Sequence, residues 1–214
     1  MPQNPMIRAL VIFLIGLLVL LMGAAAYLYF APAPQVNQAS FDSSGSGATS
    51  SVGTDYSLLN EQGQRVYRSD FEGLYRLYYF GYTFCPDVCP TSLIVMGQAM
   101  SLLEKSDPAK AAKIQPLFIT IDPARDTPEV LANYLPNFHP RLIGLTGSQA
   151  EIDAVAKGFK VFAKKVDERG EGDYLMDHTS AFLLMSPEGA FIRLFAHGTQ
   201  PQEMAEALAA IVKD

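Results

Sequence analysis

At 214 residues the chain has room for one ordinary domain and some additional sequence. Its formal net charge of −6 argues against a nucleic-acid partner, which needs a basic face to neutralise phosphates. Only two cysteines are present, close together, which excludes a disulfide framework and leaves a single bridge, a redox couple or a metal site.

Residues 1–8 form a short tail ending in Arg8. From Ala9 to Phe30 the chain reads ALVIFLIGLLVLLMGAAAYLYF, without a charge, close to the ~20 apolar residues that cross a bilayer as a helix. No Lys or Arg follows until Arg65, so the positive-inside rule keeps the tail cytoplasmic and exports the remainder. Tyr27 and Tyr29 fall where an interfacial aromatic belt would lie. The competing reading is a cleaved signal peptide, whose apolar region is usually ~7–15 residues; the longer run and the proline-rich APAP after it favour a retained anchor. Both readings place the rest of the chain outside the cytoplasm, in the periplasm of a bacterial-type cell with a single-pass inner-membrane anchor. Residues 31–55, which include SSGSGATSSVG, carry little charge and little to bury, and read as a flexible tether.

Residues 56–214 have the size of one domain. Leu74–Tyr82 (LYRLYYFGY) is an aromatic-rich strand that ends at the cysteines. A helix is predicted over Thr91–Lys105, with Leu93, Met96, Met100 and Leu103 on one face. Pro116–Ile121 reads as a buried strand, and Thr127 with Glu129 opens a helix that ends around Pro136. Ile143–Leu145 is a short strand. Ser148 and Glu151 form a capping box for a helix reaching Phe159. Val161–Val166 is a strand, Asp167–Asp173 a charged loop, and Ala181–Met185 with Ala190–Phe195 a hairpin turning at Ser186–Gly189. Thr199 and Gln202 cap a last helix to Val212. Strands alternating with helices, then a hairpin and a final helix, indicate a mixed α/β sheet in the order of thioredoxin, with helices on both faces.

The cysteines lie in FGYTFCPDVCPTSL. Both precede prolines, which bias Cys85 and Cys89 away from helical backbone, so the segment reads as an irregular turn with a helix starting near Pro90. A helix N-terminus stabilises a thiolate, which both redox exchange and metal binding require. C-x-x-x-C is one residue longer than the usual redox spacing and lets two sulfurs face one ion; two soft thiolates favour Cu(I) or zinc. A purely structural bridge would close too short a loop to stabilise much. Two ligands rarely make a secure site, so a third is sought among three histidines. His139, before Pro140, reads as a solvated loop residue. His197, before Gly198, reads as local structure. His178 lies in YLMDHTSAF just before a strand, at a loop mouth able to reach the cysteine turn, with Asp177 as a neighbour able to orient it. Position alone leaves ligand and capping roles equally open.

With these residues identified, the chain resembles the Sco (SenC/PrrC) family of membrane-anchored copper proteins. The match runs from about Asp70 to Val212 and includes FGYTFCPDVCPTSL, FITIDPARDTPEVL and YLMDHTSAFLLMSPEG. The resemblance implies a thioredoxin-like fold with an inserted β-hairpin, and Cu(I) or Cu(II) held by Cys85, Cys89 and His178. It further implies copper delivery to the binuclear copper (CuA) centre of cytochrome c oxidase during assembly, with the oxidase's copper-bearing subunit and a periplasmic copper donor as partners. The alternative within the family is thiol-disulfide exchange, with Cys85 and Cys89 as the redox pair that reduces the cysteines of that copper site. Phe84 stands where relatives often carry a polar residue, which bears on sulfur exposure rather than ligation. Asp122 could face the site, and Arg125 and Asp126 could touch a partner; the competing reading makes Asp126 or Thr127 a helix N-cap. A peroxidase-like thiol enzyme fits less well, because no third cysteine is present.

Overall fold

The computed structural model describes residues 12–18, 20–22, 52–170 and 173–213. The chain divides into two units, residues 1–48 and 49–214. In the first, residues 12–18 and 20–22 are helical, with Ile12, Phe13 and Leu20 exposed. Among the described residues no helix is long and apolar enough to cross a membrane; most of the expected anchor and tether lies outside them.

The second unit is built on seven strands: β1 (Ser57–Asn60), β2 (Arg65–Tyr67), β3 (Tyr75–Gly81), β4 (Ile114–Thr120), β5 (Ile143–Thr146), β8 (Ala181–Met185) and β9 (Phe191–Ala196). They lie in the order β2-β1-β5-β4-β3-β8-β9. β3, β4 and β5 are parallel, while β8, β9, β1 and β2 join antiparallel on either side. Central parallel strands are covered on both faces and read as near-continuous apolar runs. YRLYYFG of β3 is buried along its whole length, and IQPLFIT of β4 nearly so. Alternation sends Tyr78 and Phe80 toward Phe159, and Tyr79 toward Phe118 and Phe182.

The helices are α1 (Val88–Ser106), α2 (Pro108–Ala112), α3 (Pro128–Tyr134), α4 (Gln149–Gly158) and α5 (Pro201–Ile211). α1 buries Leu93, Met96, Met100 and Leu103, as their spacing requires, and packs against α5. Gly97 lets it approach the Phe138–His139 turn, since a Cβ there would collide with the Phe138 carbonyl. Thr127 caps α3 by accepting from Val130 N–H, and Ser148 with Glu151 forms the expected box at α4. α1 begins at Val88, earlier than predicted, so Cys89 lies inside its first turn. Pro90 is tolerated there because the first N–H groups of a helix have no intrahelical acceptor. Gln200, not Thr199, precedes α5; the Thr199 hydroxyl instead donates to the Ala196 carbonyl at 2.8 Å, closing the turn before it.

Between α4 and β8 lies a separate two-stranded ribbon, β6 (Ala163–Gly170) and β7 (Asp173–His178), with Ala163 opposite His178 and a register shift between Val166 and Gly170. The predicted charged loop is therefore largely strand, and His178 closes β7 rather than sitting in a loop. The strand expected over Val161–Val166 is part of β6, and the ribbon supplies the hairpin that the resemblance implied; β7 was not read as a strand because Asp173 and Asp177 bracket its apolar Tyr174–Met176. Its base is pinned by reciprocal bonds: Phe162 N–H to Thr179 Oγ1 at 3.1 Å and Thr179 N–H to the Phe162 carbonyl at 3.0 Å.

Candidate metal centre

β3 runs its aromatic residues to Gly81, and the chain then turns through Tyr82–Phe84, Cys85 N–H reaching the Tyr82 carbonyl at 3.4 Å. The backbone N–H of Cys89 donates to Cys85 Sγ at 3.3 Å, so an orphan donor of the first helical turn is satisfied by a sulfur. Cys89 is fully buried and Cys85 half-buried; neither is in a disulfide. Gly81 makes room for the pair: a Cβ there would stand 3.0 Å from Cys89 Sγ and 3.2 Å from the Phe118 ring.

The two thiols titrate as a unit. Hydrogen bonding from Cys89 pushes Cys85 down to about 3, assisted by the backbone N–H groups of Asp87 and Cys89. The same hydrogen bond, with burial, drives Cys89 up. Cys85 is thus the half-buried thiolate and Cys89 the buried thiol.

β7 delivers the third group. His178 Nε2 lies 3.4 Å from Cys89 Sγ, and Nδ1 lies 3.1 Å from the Thr179 carbonyl. A carbonyl only accepts, so Nδ1 carries the proton and the Nε2 lone pair faces the sulfur, the orientation in which imidazole binds metals. Asp177, expected to orient the ring, is exposed instead, and Thr179 takes that role. The Tyr79 and Tyr82 rings meet His178 edge-on at 6.3 and 6.0 Å, and the Tyr82 hydroxyl accepts from Met176 N–H at 3.2 Å. A cavity of about 360 Å³ opens beside the site, lined by Tyr82, Cys85, Val88, Leu175, Met176 and His178 among others.

The other candidates lie elsewhere. His139 is buried rather than solvated, its Nε2 3.4 Å from Glu104 and its Nδ1 accepting from Arg141 N–H. His197 is exposed and sits 3.4 Å from the Ser92 hydroxyl. Asp126 is fully buried, accepts from Thr83 N–H and from the Thr83 and Thr120 hydroxyls, and so cannot touch a partner. Asp122 is likewise buried, accepting from the Tyr174 hydroxyl at 2.6 Å and pairing with Arg125 at 2.5 Å. Gly81 and Tyr82 stand inside FGYTFCPDVCPTSL, and Tyr174 and Thr179 inside YLMDHTSAF, but nothing in their spacing singled out what they do at the site.

Among the described residues no group of three or more His, Cys, Asp or Glu side chains stands ready to hold a metal ion; Cys85, Cys89 and His178 meet instead through the pairwise contacts above. Two sulfurs and a ring nitrogen nevertheless form a donor set for a soft cation such as Cu(I), or for zinc.

The SCO1/SenC family matches residues 44–213. Protein sco1 of Schizosaccharomyces pombe is 41% identical over 160 residues, 73% of this chain. The chain spans 59% of that protein's length and 54% of the Danio rerio SCO2 homolog's. The structure of Bradyrhizobium japonicum ScoI with copper bound superposes with a TM-score of 0.67 at 40% identity, covering 74% of this chain and 98% of that one. The thioredoxin domain of a thiol-disulfide oxidoreductase from Bacteroides vulgatus, 15% identical, covers 78% of this chain and all of its own with a TM-score of 0.53, a likeness of fold alone. The fold, the C-x-x-x-C turn at the head of α1 and the sequence match together show that this chain belongs to the SCO1/SenC family.

Proposed function

We propose that this chain is a copper carrier that binds copper through Cys85, Cys89 and His178 and delivers it to the binuclear copper centre of cytochrome c oxidase during assembly. The observation that carries the reading is the approach of His178 Nε2 to Cys89 Sγ at 3.4 Å, at the end of a ribbon 89 residues further along the chain. It places a nitrogen donor beside two sulfurs of which one is already ionised. The copper-bound structure of the B. japonicum relative supports the choice of metal.

The chain's residues divide the task of holding and releasing. Cys89, buried in the first turn of α1, fixes one donor against the core. Cys85 lines the cavity, where an incoming thiolate or imidazole of a partner could compete for the cargo by ligand exchange. Residues 9–30 would tether the domain to the inner membrane with the site on the periplasmic side, which reporter fusions after residue 55 would check by their compartment of activity.

The test is Cu(I) competition against a chromophoric chelator. Cys85→Ser and Cys89→Ser should abolish tight binding, and His178→Ala should weaken it by about tenfold or more. Retention of full affinity by both cysteine variants would overturn the carrier reading.

The free cysteines and the ionised Cys85 support a second reading, reduction of the target's cysteines. Cys85 thiolate attacks one sulfur of the target disulfide and expels the other as a thiolate. Cys89, losing its proton, then attacks Cys85 Sγ and releases the second target sulfur, leaving a Cys85–Cys89 disulfide and a target reduced by two electrons. Stoichiometric reduction of a disulfide peptide by the metal-free reduced chain, undiminished in His178→Ala, would favour this reading.

A further inference from the structure

We propose that Arg125 is a positioning residue that holds His178 against the cysteine pair by clamping β7 to the cysteine turn; the proposal rests on the reading of His178 as a ligand. The β6–β7 ribbon packs chiefly against itself, so the placement of His178 depends on the few contacts that fasten the ribbon to the body. Arg125 makes several of them at once. Its Nη1 donates to the Tyr174 carbonyl at 3.0 Å, and its Cζ lies over the Tyr174 ring, 3.7 Å from the centroid. The same group stands 4.8 Å from the Phe84 ring and 5.7 Å from the Tyr82 ring, so one cation touches β7 on one side and the residue next to Cys85 on the other.

The clamp is anchored. Nε of Arg125 pairs with Asp122, and the other oxygen of that carboxylate accepts from the Tyr174 hydroxyl at 2.6 Å. Asp122 is in turn held by its own N–H donating to Thr120 Oγ1 at 2.9 Å, at the end of β4. Tyr174, Met176 and His178 alternate onto one face of β7, so the contacts that seat Tyr174 also set the height and rotation of His178. The guanidinium spreads its donors over three nitrogens, so it reaches the carboxylate, the carbonyl and the ring at once. A lysine ammonium concentrates its donors at one atom and cannot span all three from this position.

The experiment compares wild type, Arg125→Met and Arg125→Lys, each with and without His178→Ala. Arg125→Lys keeps a cation beside buried Asp122, so the test survives if Arg125→Met fails to fold. Two readouts are taken: amide exchange of Tyr174–His178 in the metal-free chain, and Cu(I) affinity by chelator competition. Both Arg125 variants should speed exchange across β7 by about tenfold or more while β3 and β4 stay protected. His178→Ala should weaken Cu(I) by about tenfold in wild type and by less than about threefold in the Arg125 variants, since a displaced ring has little left to lose. Unchanged exchange in β7, or an equal His178→Ala penalty in every background, overturns the proposal, as does Arg125→Lys behaving as wild type. If His178→Ala changes nothing in wild type, the ligand reading fails instead, and the exchange data alone decide whether Arg125 clamps the ribbon.

Discussion

The unequal fates of two identical side chains carry the chemistry. Cys85 and Cys89 differ by four positions, yet one is half-buried at the cavity and the other has no exposed surface. The hydrogen bond between them drives their titrations apart, Cys85 to about 3 and Cys89 upward. Metal-free alkylation of Cys85 should therefore be independent of pH between about 5 and 8, where an ordinary thiol of pKa ~8.5 speeds up about tenfold per unit. Mass mapping of the adduct checks this, and a rate rising with pH would refute it. The linkage has a definite sign. A depressed folded pKa at Cys85 gives stability that is present above its unfolded value and lost as pH falls toward 3. The raised one at Cys89 gives stability present below its unfolded value and lost as pH rises. The pair should therefore stabilise the reduced chain most near pH 8 to 9, and Cys85→Ser should flatten that profile in denaturant titrations.

At the scale of the element, the best-specified helix start is α4. Ser148 Oγ accepts from Glu151 N–H, and Glu151 accepts from the Ser148 N–H at 2.7 Å, while Arg65 from β2 closes on the same carboxylate at 2.6 Å. The Ser148 N–H and hydroxyl, then Arg65, hold Glu151 down at about 2. Its contribution is present above the ordinary value of 4.5 and lost as pH falls toward 2. Ser148→Ala should cost about 1 kcal/mol in denaturant unfolding at pH 7, and the loss should shrink in acid as Glu151 protonates. Elements of this kind were legible: caps, apolar period and buried runs located α1, α3, α4, β3, β4, β5 and the β8–β9 hairpin within a few residues. β1, β2 and α2 were not, being three to five residues long and, unlike the equally short but nearly fully buried β5, without a run of buried apolar residues. Of the β6–β7 ribbon, the strand expected over Val161–Val166 is part of β6 and the resemblance implied a hairpin, whereas β7 was not read as a strand.

Over the whole molecule, Asp126 shows how the sheet is knitted at the end that bears the site. Its carboxylate accepts from Thr83, just past β3, and from Thr120 at the end of β4, and its carbonyl accepts from Thr146 at the end of β5 at 2.8 Å. Burial pushes its pKa up, but three donors converge on it and hold the strand ends in register. Asp126→Ala should leave the buried Thr120 hydroxyl and the half-buried Thr83 hydroxyl and N–H without this acceptor, at about 2–4 kcal/mol in denaturant midpoint experiments. Asp126→Asn, which keeps one acceptor oxygen, should cost less. A loss below about 1 kcal/mol for Asp126→Ala would show that these groups find other partners.

The sequence by itself determined the α/β class, the strand-to-helix position of the cysteines and the family, because propensity, caps and a specific thiol motif are local and written in consecutive residues. The resemblance already pointed to His178; only the tertiary structure showed how its ring approaches Cys89, that the Cys85 and Cys89 titrations are driven apart, and that Asp126 and His139 are buried. Those outcomes depend on burial and on contacts between residues far apart in the chain. His178 meets Cys89 because the β6–β7 ribbon folds back over the turn, and Arg125 contacts both from a loop that read as a helix start. Each of these contacts is a distance in space that no spacing in the chain encodes.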